Sequence, residues 1–169
     1  MRTWRSSRLS EDHTRSEFDC GHESLDQWLA EQALRAERAG VSATTVWTPP
    51  GEQRVVAYYS ITPTVVHRDE LPSRAMAGGY TSVPGYLLGR LAIQRELHGQ
   101  GHGSQLLIDA IERIVSASDQ GGGRVIVVDA INDAAGAFYE HHDFTRIPET
   151  KRLVMKIATA RGALLGLLG

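Results

Sequence analysis

The stretch that most limits how this chain can fold begins at Tyr86-Leu87-Leu88-Gly89-Arg90-Leu91-Ala92-Ile93. It continues through Gln94-Arg95-Glu96-Leu97 to His98-Gly99-Gln100-Gly101-His102-Gly103-Ser104. The order reads as strand, glycine-rich turn and helix start. Apart from Gly89 and Arg90, apolar residues run unbroken up to the turn. Glycines at the alternate positions 99, 101 and 103 leave backbone N–H groups unshadowed by side chains. An amphipathic helix follows at once, with Leu106, Leu107, Ala110, Ile111, Ile114 and Val115 on one face. N–H groups at a helix start, backed by the positive end of the helix dipole, make a site for phosphate. The stretch therefore predicts a phosphate-bearing ligand.

Three kinds of loop compete for it. A P-loop needs Lys and then Ser or Thr after its last glycine, and Ser104-Gln105 stand there instead. The dinucleotide fingerprint G-x-G-x-x-G puts its third glycine at Ser104 or Leu106, a poor fit, and the loop lies past mid-chain. The segment His98-Gly99-Gln100-Gly101-His102-Gly103 resembles the pyrophosphate loop of the GNAT acetyltransferases, Q/R-x-x-G-x-G/A. It matches at Gly101 and Gly103, with His98 in the first place. The bland alternative is a turn that binds nothing.

A second segment strengthens the resemblance. Val125-Ile126-Val127-Val128-Asp129-Ala130 reads as a short buried strand. Residues 131–144 then resemble the GNAT segment in which an Asn, small residues and Phe-Tyr lead to Gly-Phe. Here these are Asn132, Ala134-Ala135-Gly136-Ala137, Phe138-Tyr139 and Asp143-Phe144. Asp143 replaces the usual glycine; an Asp can take up a left-handed turn, less easily than Gly. On these motifs the chain resembles GNAT-superfamily N-acetyltransferases. The resemblance implies an α/β (α+β) fold, a mixed central sheet with splayed parallel strands flanked by helices.

At 169 residues the chain suits a single domain with a real core, spanning 1–157, with 158–169 as a C-terminal tail. That tail either packs on a neighbour or frays. The lone Cys20 excludes an internal disulfide and fits a reducing cytoplasm. As a thiol without context it reads as a small buried residue rather than a nucleophile. No apolar run approaches the ~18 residues of a membrane helix, and the charged N-terminus has no signal core.

Taken in order, Arg2, Arg5, Arg8 and Arg15 mark an arginine-rich start, with Trp4 and Leu9 hinting at a strand. Ser24 and Gln27 form a capping box for a helix that runs to about Ala39, stopped by Gly40. Residues 41–47 and 54–66 read as strands, with Pro63 marking an edge or bulge. Residues 67–85 are loop-like. The glycine-turn helix is expected to reach about Ser118, Gly121-Gly122-Gly123 to form a flexible link, and residues 152–157 to make a final strand.

The front half narrows the resemblance. Phe18, Cys20-Gly21, Leu25-Asp26 and Trp28-Leu29 resemble the opening of one GNAT subgroup, as do Leu71-Pro72, Leu88–Ala92 and Phe138-Tyr139-Glu140. That subgroup contains bacterial toxins that acetylate the amino group of aminoacyl-tRNA and block translation. The resemblance implies acetyl-CoA inserted between the strands 87–94 and 124–130. Backbone groups at Leu91, Ala92 and Ile93 would hold its pantetheine and acetyl carbonyl. Residues His98, Gly99, Gln100, Gly101, His102, Gly103 and Ser104 would hold the pyrophosphate, and Asn132 and Phe138 would line the other side. It also implies a homodimer in the cytoplasm and a small DNA-binding antitoxin of ribbon–helix–helix type. The competing functions are acetylation of a protein or small-molecule amine, and a GNAT-fold binder without catalysis.

The chemistry implied is attack of a neutral amine on a thioester, with charge developing on oxygen and a thiolate leaving. Backbone N–H groups can stabilise that oxygen. Tyr139 matches the family's proton donor; without the motif it would read as a core aromatic beside Phe138. Glu70, Glu96 and Glu140 are undistinguished as bases. A Lys amine near pKa 10.4 needs help to lose its proton, whereas an α-amine near 8 needs less, which agrees with an aminoacyl substrate.

RNA binding should leave a basic surface, and a net charge of −2 does not show one. Locally, Arg146, Lys151, Arg152, Lys156 and Arg161 cluster with Glu149 as the only nearby acid. Arg90, inside the apolar strand, is read as an RNA contact, with Arg74, Arg95 and the N-terminal arginines extending the surface. The alternative is that these arginines only solubilise strand edges. His98 and His102 lack a third ligand, so no metal is expected.

Overall fold

A computed structural model describes residues 4–168. Met1–Thr3 and Gly169 lie outside the described residues, and Arg2 of the arginine-rich start with them. The strands are β1 (Arg5–Arg8), β2 (Ala43–Thr48), β3 (Ala57–His67), β4 (Ser82–Ile93), β5 (Val125–Asp129), β6 (Thr145–Arg146) and β7 (Arg152–Lys156). The helices are α1 (Glu23–Glu31), α2 (Ala33–Arg38), α3 (Arg74–Ala77), α4 (His102–Gly121), α5 (Asp133–His141) and α6 (Ile157–Leu168). One seven-stranded sheet runs in the order β1-β2-β3-β4-β5-β7-β6. β4 and β5 are parallel, from Gly85 opposite Val125 to Leu88 opposite Val128. β1–β2, β2–β3, β5–β7 and β6–β7 are antiparallel. The expected mixed sheet with a parallel pair is present. The chain divides into two compact units, residues 1–62 with 89–110 and residues 63–88 with 111–169.

In the first unit, Leu9, Phe18, Leu25, Leu29, Ala33, Val46, Val55, Tyr58 and Ala92 form one buried cluster. Leu25, Leu29 and Ala33, from the segment expected to be helical, supply its helical side. The expected capping box does not form. α1 starts at Glu23, no side chain caps it, and Gln27 bonds the Glu23 carboxylate instead. Asp26 reaches back to accept the Cys20 N–H at 2.9 Å, closing the turn earlier than Ser24 would. The single long helix is also two, parted at Gln32, whose φ of −121° leaves the helical region. Gly40 ends α2 as expected: φ is +70° and the Val41 N–H reaches back to the Ala36 carbonyl. β3 starts at Ala57 rather than Arg54, and its register with β2 covers Ala57 to Ile61, short of Pro63. Cys20 is buried, and burial pushes its thiol up to about 12, so the sulfur stays protonated.

In the second unit, Val66, Ala77, Val83, Val125, Val127 and Val154 form the buried cluster. β4 begins at Ser82, four residues before Tyr86, inside the segment read as loop. Val83 and Gly85 are buried while Ser82 and Pro84 are exposed, an alternation that Pro84 disguises. A Cβ on Gly85 would lie 2.5 Å from the Val125 carbonyl, so the parallel approach requires glycine there. The glycines at 121–123 are not a flexible link. Gly121 ends α4, and Gly122 and Gly123 turn the chain at φ +84° and +132°. The Tyr86 hydroxyl donates to the Gly122 carbonyl at 2.8 Å. The tail is helix α6, following β7 directly, with Ala160 buried and Arg161 bonded to Asp119 at 2.6 Å.

Candidate active site

One set of the expected site residues lies in the strand, turn and helix of the first unit. The Gln94 N–H donates to the carbonyl of Val56, just ahead of β3, at 2.9 Å. Backbone groups alternate along a strand, so those of Leu91 and Ile93 point to the opposite edge. Ala92, between them, buries its methyl in the helical core. His98 closes the turn: its Nε2 lies 2.7 Å from the Ile93 carbonyl and donates to it. The His98 ring and that carbonyl are thus committed to each other. Gln100 donates to the Glu96 carbonyl at 3.0 Å.

Gly99 and Gly101 sit at φ +75° and +82°. A Cβ on either would meet no atom within 4 Å. Their backbone conformation calls for glycine, and the side a ligand would use is open. The third expected turn glycine, Gly103, lies within α4, which begins at His102. Ser104 lies in the same first turn, whose N–H groups lack intrahelical acceptors. The His102 ring meets Trp4 edge to face at 5.7 Å.

Another set lies in the second unit, after β5. Asn132 is the N-cap of α5; its Oδ1 accepts the Ala135 N–H at 2.8 Å. Phe138 is half-buried, its ring edge to face with those of Tyr139 and His142. Tyr139 is 6 % exposed and packs edge to face on Phe144. Burial pushes its phenol up to about 12, above the ordinary 10. Among the described residues its hydroxyl bonds no protein group. Asp143 takes the expected left-handed turn at φ +70°.

The charged residues sort differently from expectation. Glu149 is not the only acid beside the C-terminal cations. Arg146 pairs with Glu140 at 2.9 Å, Arg152 with Asp129 at 2.9 Å and Arg161 with Asp119 at 2.6 Å. Strand pairing sets Arg152 opposite Asp129, and the end of α4 supplies Asp119. Arg95 pairs with Asp19 at 2.9 Å. Lys151 is exposed. Arg90 is half-buried, and its guanidinium carbon lies 3.9 Å above the Trp28 ring. In the sequence Trp28 reads as part of the subgroup opening, with nothing to link it to Arg90; a Trp on a predicted helix and a lone Arg in an apolar strand are the only signal of the pair. Glu70, Glu96 and Glu140 are all exposed. Among the described residues no group of three His, Cys, Asp or Glu is placed to hold a metal.

Comparison with known proteins adds to this geometry. The profile of the Acetyltransferase (GNAT) family matches residues 4–144. A protein of Mycobacterium tuberculosis (strain ATCC 25618 / H37Rv) named tRNA-acetylating toxin is 38% identical over 159 residues, covering 94% of this chain and 95% of that one. Among solved structures, AtaT complexed with acetyl-methionyl-tRNAfMet matches with a TM-score of 0.88 and 27% identity, over 96% of this chain and 99% of that one. A tyrosine-to-phenylalanine variant of the AtaT toxin, bound to the C-terminus of the antitoxin AtaR and to acetyl-CoA, matches with a TM-score of 0.82 and 25% identity. That match covers 95% of this chain and 98% of that one.

Proposed function

The chain belongs to the GNAT acetyltransferase family, and from that membership we propose that it moves the acetyl group of acetyl-CoA onto the α-amino group of an aminoacyl-tRNA, as the toxin of a type II toxin–antitoxin pair. The observation that carries the acceptor is the likeness, across nearly the whole chain, to a tRNA-acetylating toxin. Acetyl-CoA supplies the acetyl group activated as a thioester. The open glycines 99 and 101, ahead of the first-turn amides of α4, suit its diphosphate.

The residues take the following roles in this reading. Amides of residues 99–104 hold the diphosphate, with His98 closing the turn behind them. The main-chain edge of Leu91 to Ile93 holds the pantetheine and steadies the acetyl oxygen. Asn132 and Phe138 line the coenzyme. Tyr139, a phenol that is neutral through the physiological range and that burial raises further, holds a proton for the departing sulfur. The attacking α-amine needs no strong base, since much of it is already neutral near pH 7 to 8. Arg90 and Lys151 face the RNA. Arg95 and Arg146, already paired with Asp19 and Glu140, add only peripheral charge.

The cellular setting follows from the substrate. Charged tRNA places the protein in the cytoplasm. The antitoxin complex of AtaT supports an antitoxin partner here, of ribbon–helix–helix type, and the toxin itself is read as a homodimer. The test is mass spectrometry of bulk charged tRNA after incubation with the protein and acetyl-CoA. N-acetylated aminoacyl groups are the expected product. Unmodified aminoacyl groups, alongside turnover on free amines or a protein, would overturn the acceptor.

A further inference from the structure

Arg90 differs from the other arginines of the site. Arg95, Arg146, Arg152 and Arg161 each meet a carboxylate. Arg90 meets none among the described residues, although it is half-buried. A desolvated charge without a counter-ion costs free energy, so packing alone gives no reason to keep one there.

Its surroundings fix it in place. The guanidinium carbon lies 3.9 Å from the centroid of the Trp28 ring, within cation–π range. Trp28 is nearly parallel to Tyr58, with 13° between planes and 6.1 Å between centroids. Tyr58 is fully buried, meets Phe18 edge to face, and its hydroxyl donates to the Leu25 carbonyl of α1 at 2.7 Å. A chain of contacts thus runs from the α1 backbone through two rings to the cation. A guanidinium held over a ring and bonded to no carboxylate keeps N–H donors for an anion, and their fork matches a phosphate.

The anion it would meet follows from the acceptor chemistry, and this step rests on the aminoacyl-tRNA reading. The amino acid's carboxyl group is esterified and neutral in that substrate. The nearest formal negative charge to the reacting amine is the phosphodiester on the 5′ side of the terminal nucleoside. We propose that Arg90 receives this phosphodiester, and that Trp28 is the positioning residue that fixes the plane of the guanidinium.

Two minimal acceptors test this. One is adenosine carrying an aminoacyl ester on its 3′ oxygen; the other is the same nucleoside extended by a 5′ cytidylyl phosphodiester. Both carry the amino acid identified with bulk tRNA. For the unsubstituted protein the phosphodiester is expected to raise kcat/KM on the order of 10- to 100-fold, the range of charge-assisted hydrogen bonds. In Arg90→Ala and Arg90→Gln the ratio between the two acceptors collapses towards one, and Arg90→Lys keeps part of it. Gln retains stem packing on Trp28, so a folding loss in the Ala variant leaves the measurement intact. Trp28→Leu lowers the ratio through KM rather than kcat, and Trp28→Tyr restores most of it. A ratio that survives Arg90→Gln, or both acceptors falling by one common factor, overturns the proposal. A protein that acetylates neither bulk charged tRNA nor either minimal acceptor removes the acceptor reading itself, and the phosphate contact with it.

Discussion

The imidazole of His98 donates to the carbonyl of Ile93 across 2.7 Å and ties the glycine turn to the end of the strand before it. Besides local backbone bonds, this turn with two residues at positive φ is held by the Gln100 amide, which donates to the Glu96 carbonyl. Losing one hydrogen bond of this kind costs about 1 kcal/mol. His98→Ala is therefore expected to raise the KM for acetyl-CoA about 2- to 10-fold with little change in kcat. His98→Gln, whose amide can still donate, should recover part of the loss. Steady-state kinetics with acetyl-CoA as the varied substrate checks this, and an unchanged KM in the Ala variant would show that the tether is not needed.

Gly101 calls for a second comparison. At φ +82° an L side chain costs roughly 1–2 kcal/mol, and no atom lies within 4 Å of the new methyl. The backbone cost is thus the whole stability cost. Gly51 makes a matched control at φ +78°, also with open space around it, in the turn after β2. Gly101→Ala and Gly51→Ala should lower Tm by similar amounts, a few degrees. Only Gly101→Ala should weaken acetyl-CoA binding, by tenfold or more, because its methyl enters the cradle. Isothermal titration with acetyl-CoA on both variants decides the matter.

Much of this arrangement was legible in the chain because its signals are local. Alternating glycines before an apolar helix face, and Asn132 ahead of Phe138-Tyr139, declare strand, turn and helix within a few residues. What was not legible depends on pairing at a distance. Arg152 meets Asp129, and Arg161 meets Asp119, only because the sheet and α4 bring them together. Gln32 carries no helix-breaking character, yet the chain leaves helical geometry there. Pro84 hid four residues of β4, since proline normally argues against a strand. Arg90 looked anomalous in an apolar strand, but its partner Trp28 lies on a helix remote in sequence.

Asn132 has two roles to separate. As an N-cap it bonds the Ala135 N–H, and its replacement by Ala should cost about 1 kcal/mol. Ser caps as well as Asn but lacks the amide NH2 donors. Asn132→Ser is therefore expected to keep the Tm of the parent protein. If the amide also contacts the coenzyme, its KM for acetyl-CoA rises while Tm stays put. A KM equal to the parent's, with Asn132→Ala lower in Tm, would leave Asn132 with the cap alone. Thermal melts and acetyl-CoA titrations on the two variants give both numbers.

Tyr139 supplies the sharpest contrast between stability and chemistry. Its hydroxyl has no protein partner among the described residues, so Tyr139→Phe should fold as well as the parent at pH 7. If the hydroxyl is the proton donor, kcat falls about 10²- to 10⁴-fold while acetyl-CoA still binds. A fall of twofold or less would remove that role. The alkaline side gives an independent check. Burial holds the folded phenol up at about 12, against about 10 in the unfolded chain. Between those values the unfolded chain gives up the proton and the folded one keeps it. Stability is then whole below pH 10 and declines as pH rises through 12. Cys20, raised from 9 to about 12, begins the same decline earlier and persists in both proteins. Melts of the parent and Tyr139→Phe between pH 9 and 11.5 should therefore run parallel at first and diverge above pH 10. The phenylalanine variant should then lose stability more slowly; curves that stay parallel would mean that the phenol ionises equally well in the folded protein.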